Sequence, residues 1–211
     1  MMLIEAAIIG LVAAVAGLYL LALAAAWAVL NFVGDEGYLN IARNKLAATK
    51  KICAGIENIK GLRVLTQPDM CLVSFTSPDV NIFHIIDEMN SRGWYVQPAL
   101  SFDNSPAHIH LSISASNVQW VDRFLADLET CVAIARTLPD GQLAKLVKGD
   151  LAQTDFADLS DDELSDVLKL AGLDSGGLPH RTAEINEALD ALAPETRNLL
   201  LINYVNDLFK A

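Results

Sequence analysis

The feature that most limits the fold of this chain is an uncharged apolar run near its N-terminus. Residues 6–34 form 29 consecutive positions without Asp, Glu, Lys or Arg. A helix rises about 1.5 Å per residue, so this run is long enough to cross the roughly 30 Å hydrocarbon core of a bilayer. It does not match a signal peptide, because residues 1–5 contain no basic side chain. Basic residues follow the run, so a spanning helix would leave the C-terminal part in the cytoplasm: Arg43, Lys45, Lys50 and Lys51.

A second interpretation of the apolar run stays open. Residues 22–28 are rich in alanine, which contributes little to membrane insertion. A helix buried between protein domains explains the same pattern. An intermediate case inserts residues 4–23 and leaves Ala24 onward in the soluble fold.

The central part of the chain alternates between helical and extended patterns. Residues 35–37 break the apolar run, and an amphipathic helix is expected to follow it up to Gly61. Short strands are predicted at residues 62–66, 70–76 and 94–99. A helix that starts after a Pro78-Asp79 cap and ends at Gly93 carries an apolar stripe at helical spacing, formed by Ile82, Ile85, Ile86 and Met89.

Residues 107–114 alternate strictly between apolar and polar side chains, which is typical of a half-buried strand. The pattern puts Ile109, Leu111 and Ile113 on one face and both His108 and His110 on the other. A capping box of Ser116 and Gln119 is expected to start the next helix. We expect one shared core, made of Ile82, Ile85, Ile86, Met89, Ile109, Leu111, Ile113, Phe124 and Leu128.

This order of elements predicts an α+β fold with a mostly antiparallel sheet covered by helices on one face. We divide the chain into an apolar helix at residues 1–34, a small α+β domain at 35–138 and an acidic helical tail at 139–211. The tail is expected to contain a capping box of Ser160 and Glu163 and two terminal helices, around residues 185–192 and 196–209. The loop at residues 173–179 is expected to be a connector, since no strand precedes it.

Charge and cysteine usage exclude several functions. The formal net charge of -11 argues against nucleic acid as a partner, because phosphate binding needs clustered Lys and Arg. Residues 150–174 hold eight carboxylates without the spacing or glycine of a calcium loop, so we interpret them as a solvated helix start. The three cysteines lie at unrelated spacings and are expected to be buried apolar side chains in a reducing compartment: Cys53, Cys71 and Cys131.

Several segments of the chain, in one order, carry a resemblance to a known family. Residues 24–38, with Trp27 and Gly34-Asp35-Glu36-Gly37, resemble the interdomain helix of pyridoxal-phosphate-dependent carbon-carbon lyases of the sphingosine-phosphate lyase type. Further segments stand in the family's order, among them Gly55-Ile56, Asp87-Glu88-Met89, Arg92-Gly93-Trp94, His108-Ile109-His110-Leu111 and Leu178-Pro179-His180-Arg181. The resemblance covers almost everything after residue 23. It implies the small C-terminal domain of fold type I pyridoxal-phosphate enzymes, with a long apolar helix before it and helices after it.

The resemblance does not supply the chemistry of the family. These enzymes hold the cofactor on a lysine within a His-Lys pair, and none of the four histidines here is followed by lysine. We therefore expect this chain alone to bind no pyridoxal phosphate and to be inactive, and we assign no catalytic, cofactor-binding or metal residue. The expected partner is a large pyridoxal-phosphate-binding domain or a second subunit. The chain is expected to be an oligomer rather than a free soluble monomer.

A few polar residues remain as candidates for contacts. His108 and His110 have the spacing of two metal ligands, but no third ligand is identifiable, and a contact with the large domain is the preferred interpretation. Ser101, Asn104 and Ser105 lie in a loop that could reach a substrate or be a simple turn. A membrane-anchored, non-enzymatic interaction module is the alternative function.

Overall fold

The computed structural model describes residues 2–139, 141, 145, 147 and 181–208. The chain divides into two compact units, Met1–Asn44 and Lys45–Ala211. The acidic stretch, the Ser160 and Glu163 capping box, the 173–179 loop and His180 lie outside the described residues.

The first element, α1, spans Met2–Asn58 and contains one break. Gly34 has φ 63 and ψ 174, so two helices meet at a kink there. A positive φ of this size costs a glycine little, since it has no Cβ. The helix is therefore broken at Gly34, whereas the break was expected at residues 35–37, which are helical.

The helix before the kink is apolar on all its sides. By length and composition, a helix within Val12–Asn58 could cross a membrane, and no side chain of its most apolar stretch is buried. Large side chains are exposed around its circumference, including Leu20 at 68% and Leu21 at 69%. A helix that is apolar all round needs an apolar environment on every side.

The second unit contains four strands and the helices that cover them. The strands are β1 (Arg63–Val64), β2 (Leu72–Thr76), β3 (Gln97–Ala99) and β4 (His108–Ser112). The sheet order is β1-β2-β4-β3, and every neighbouring pair is antiparallel. The α+β fold expected from the sequence is confirmed, although each strand is shorter than predicted.

The helices after α1 are α2 (Ile82–Ser91), α3 (Val121–Ala135), α4 (Ala183–Ala191) and α5 (Pro194–Leu208). The two predicted terminal helices correspond to α4 and α5. Two predicted helix starts are wrong. Helix α2 is capped by Asn81, whose side chain accepts from the Phe83 N–H at 3.0 Å, rather than by Pro78-Asp79. Residues Val118–Trp120 form a short 3₁₀ helix, so α3 starts five residues after Ser116 and has no side-chain cap.

One core lies between the inner face of the sheet and the helices. It contains all nine residues predicted to share it, together with Ile52, Ile56, Val73 and Phe75 among others. Helix α1 approaches α3 closely at Gly55, where an added Cβ would lie 2.4 Å from Leu125 Cδ1. A larger residue at that position would require the Leu125 side chain to move.

Candidate functional site

The sheet has an outer face that is polar, which we call the polar face. Antiparallel pairing sets Ser74 and Gln97 on either side of His110, and Ala99 opposite His108. Side chains of paired residues lie on the same face of a sheet. The polar face comprises the polar side chains of Arg63, Ser74, Thr76, Gln97, His108, His110 and Ser112, together with Leu72 and Ala99.

The two histidines lie on the polar face, as the strand pattern predicted. Ile109 and Leu111 are buried, at 0% and 8% exposure, while His108 and His110 are half-buried. His108 Nδ1 lies 2.9 Å from the Pro106 carbonyl oxygen, which can only accept a hydrogen bond. His110 Nδ1 lies 3.3 Å from Ser74 Oγ. The arrangement suits hydrogen bonding to a partner surface.

Within the part of the chain that the structure describes, the polar face carries two histidines but no third His, Cys, Asp or Glu side chain placed to hold an ion with them. Both imidazoles already have oxygen atoms of their own chain nearby.

The loop at residues 101–106 forms a tight hairpin rather than an open loop. Phe102 and Ser105 exchange two backbone hydrogen bonds, of 3.0 and 2.9 Å, which leaves Asp103 and Asn104 as the tip. Asp103 has φ 50, a left-handed conformation that aspartate tolerates better than most residues. The Phe102 side chain is 68% exposed.

A cavity of about 400 Å³ lies at the same end of the sheet. Its walls include the N-terminal residues of α2, Pro106 and Ala107 from the hairpin, and Glu187 and Asp190 from α4. The charged lining residues are the carboxylates of Glu187 and Asp190 and the amine of Lys145. Because negative charges outnumber the positive one, the cavity is a poor site for an anion.

Helix α2 carries buried charged side chains that sequence reasoning missed. Asp87 is 3% exposed and accepts from the backbone N–H groups of Thr182 and Ala183, at 2.9 and 3.1 Å. It therefore caps α4 from a different helix. Glu88 binds Arg181 at 2.6 Å and Arg92 at 3.4 Å.

A histidine on the same helix makes a second buried contact with α4. His84 Nε2 lies 3.0 Å from Glu187 Oε1, and both side chains are about nine-tenths buried. The Glu187 carboxylate raises the pKa of His84, against the opposing effect of burial, and Asp87 adds to the rise while Arg181 opposes it. In the sequence, His84, Asp87 and Glu88 look like the solvated face of the helix, so periodicity gave no sign that α4 covers them.

The cysteines are buried as expected, with one exception. Cys53 and Cys131 are buried, whereas Cys71 is only partly buried at the edge of the core. Burial raises the pKa of Cys131 to about 11, which suits an inert thiol. Trp94 packs edge-on against Phe124, with ring centroids 5.3 Å apart, while Tyr95 is exposed.

Comparisons with known proteins agree with the resemblance found in the sequence. Residues 140–207 match the family model described as "Pyridoxal-dependent enzyme, C-terminal putative HTH domain". The chain is 38% identical to a sphingosine-1-phosphate lyase of Arabidopsis thaliana over 116 aligned residues. This aligned region covers 55% of this chain and 21% of the relative. The corresponding protein of Oryza sativa subsp. japonica is 36% identical over 117 residues, with 56% and 21% covered.

A solved structure also aligns with the chain. It is a sphingosine-1-phosphate lyase of Burkholderia pseudomallei, with a TM-score of 0.47, 31% identity, and coverage of 52% of this chain and 24% of that one. The chain spans about a fifth of the length of the curated relatives it matches. The predicted resemblance to pyridoxal-phosphate-dependent enzymes of the sphingosine-phosphate lyase type is confirmed.

Proposed function

We propose that this chain provides the small C-terminal domain of a pyridoxal-phosphate-dependent carbon-carbon lyase, and that a large cofactor-binding domain completes the enzyme. The observation that carries the proposal is the two-sided sheet. Helices cover its inner face, while the outer face is polar and carries His108 and His110. Together with 38% identity to a lyase over 116 residues, this supports the polar face as the surface that meets the large domain.

The residues described here do not fit the cofactor. Pyridoxal phosphate needs an amine that is partly shielded from water, and groups that neutralise its phosphate. Among the described lysines, Lys50, Lys51, Lys60 and Lys145 are exposed, and Lys51 is paired with Asp122. Lys45 is half-buried, but it does not line the 400 Å³ cavity. The 400 Å³ cavity presents Glu187 and Asp190, which would repel a phosphate. The cofactor chemistry is therefore assigned to the large domain.

Absorbance with added pyridoxal phosphate tests this assignment. The full chain, kept in a mild detergent, is mixed with the cofactor and then treated with borohydride. We expect no visible band that borohydride abolishes, and no lyase activity. A reduced adduct that peptide mapping places on a single lysine would refute the proposal.

The partner part of the proposal has its own test. We expect a reading frame next to the gene to encode a His-Lys pair within a large domain, and co-expression of the two chains to give a complex with the internal cofactor chromophore. Replacing His110 with Glu on the polar face should weaken this complex. The matched change Glu129→Gln on α3, on an exposed side chain outside the polar face, should leave it intact. If both variants form the complex equally well, the polar face is not the surface that meets the large domain.

A membrane-anchored interaction module without enzymatic activity is the second candidate. The exposed, all-round apolar part of α1 favours it. In membrane fractionation this candidate predicts the chain in the membrane pellet after an alkaline carbonate wash, with no large-domain reading frame nearby. Recovery of the chain in the soluble fraction would count against it.

A further inference from the structure

The hairpin tip at residues 102–105 is attached to the helical tail through the residue that precedes it. The Ser101 N–H donates to Asp190 Oδ1 at 2.5 Å, and the Ser101 carbonyl accepts from Arg197 Nη1 at 2.7 Å. Asp190 lies near the end of α4, and Arg197 lies in the first turns of α5. Both backbone groups of Ser101 are therefore held by side chains some 90 residues further along the chain.

Arg197 joins three pieces of structure with one guanidinium group. It is 7% exposed. Besides Ser101, it donates from Nε to the Leu189 carbonyl at 2.9 Å and from Nη2 to the Leu192 carbonyl at 3.3 Å. Both carbonyls lie at the C-terminal end of α4, where the Leu189 carbonyl also accepts from the Leu192 N–H at 3.3 Å. Loss of the guanidinium would remove a donor from the carbonyls of Ser101 and Leu192, and one of two donors from the carbonyl of Leu189.

We propose that Asp190 and Arg197 couple the hairpin tip to the helical tail formed by α4 and α5. The hairpin tip is then ordered only while these two helices are docked against it, and the two helices only while the tip is docked. This role does not depend on the lyase assignment. Because coupling between two sites is reciprocal, loosening the tail must loosen the tip by the same factor, and the reverse must hold. A partner that covers the exposed Phe102 side chain would thereby also stabilise the tail.

Hydrogen exchange on the full chain in detergent tests the coupling in both directions. In the first direction, Arg197→Ala and Asp190→Ala should speed exchange of the Phe102 and Ser105 amides by about tenfold or more, since hydrogen bonds involving a charged group are lost. Asp190→Asn keeps an acceptor oxygen at Oδ1 and should have a much smaller effect. Arg123→Ala, at an exposed side chain on α3, is the control for loss of an arginine.

In the second direction, the change is made at the tip and measured in the tail. Asp103→Pro forbids the φ of 50 and should break the tip, whereas Asp103→Gly permits it. Only the proline variant should speed exchange of the Arg197 amide, which bonds to Ala193, again by about tenfold. The Leu65 amide, bonded to Ser74 within the sheet, reports whether the whole domain has opened.

Three results would overturn the proposal. The first is unchanged exchange of the hairpin amides in both Arg197→Ala and Asp190→Ala, and the second is equal exchange of the Arg197 amide in the two Asp103 variants. A rise at Leu65 as large as the rise at the hairpin would also reject it, because the substitutions would then act on the fold as a whole.

Discussion

Neutralising Asp87 should release the start of α4 from α2 while leaving the sheet folded. The Asp87 carboxylate is 3% exposed, accepts two backbone N–H groups at 2.9 and 3.1 Å, and lies 3.8 Å from Arg181 Nε. In Asp87→Asn one carboxylate oxygen is replaced by an NH₂ group, which faces an N–H donor. The variant therefore loses at least one charge-assisted hydrogen bond and sets two donors against each other.

The size of the effect follows from the kind of bond that is lost. Hydrogen bonds to a charged group contribute about 1.5–3 kcal/mol each, and removing a helix cap costs about 0.5–2 kcal/mol. Part of this is offset because the variant no longer buries a charge. We expect a net loss of about 1.5–2.5 kcal/mol in the free energy of opening α4, which is roughly a 10- to 70-fold rise in exchange rate.

Native-state hydrogen exchange is the suitable assay, because it separates local opening of the tail from global unfolding. The reporter is the Asn186 amide, which bonds to the Thr182 carbonyl at 2.9 Å in the first turn of α4. Glu129→Gln is the matched control, since it neutralises one exposed carboxylate on α3. If Asp87→Asn changes the exchange of Asn186 no more than Glu129→Gln does, the capping role argued here is wrong.

Two further predictions concern titrating groups. Because Glu187 raises the pKa of His84 in the folded chain, this pair should stabilise α4 fully below the unfolded pKa of about 6.5, and the stabilisation should be lost as the pH rises through the higher folded pKa. Hydrogen exchange of the α4 amides, corrected for intrinsic rates, should accelerate over that pH interval. The His84→Gln variant should lose this pH dependence. Burial raises the pKa of Cys131 to about 11, so iodoacetamide at pH 8 should leave this thiol unmodified while the partly exposed Cys71 reacts. Mass spectrometry that shows Cys131 modified before Cys71 would contradict this prediction.

The inner half of the domain could be predicted from the sequence because periodicity records burial directly. The stripe of Ile82, Ile85, Ile86 and Met89 and the alternation around Ile109 and Leu111 each gave the correct face. Element ends were less accurate, since capping depends on local geometry: Asn81 takes the place expected for Pro78-Asp79. The hydrophobic pattern fixes which face is buried but not where hydrogen bonding to the next strand stops.

The polar contacts between α2 and the tail could not be predicted for a different reason. Asp87 and Thr182 are 95 residues apart, and Ser101 and Arg197 are 96 apart. A carboxylate on a helix looks solvated in sequence unless the element that covers it is known. Here the covering element is α4, whose own sequence gives no sign of its partner. The charges therefore became meaningful only when the fold brought the two segments together.

The two exposed surfaces of the chain make different demands on whatever covers them. The part of α1 before Gly34 exposes apolar side chains all round, which hydrocarbon satisfies without any specific contact. The polar face presents His108, His110 and Gln97, whose nitrogen and oxygen atoms would be left without partners in hydrocarbon but are satisfied by water or by a protein surface with matching donors and acceptors. Lipid around the helix therefore cannot also cover the sheet. The proposed membrane anchoring and the proposed completion by a large domain are thus compatible, and a test of one does not decide the other.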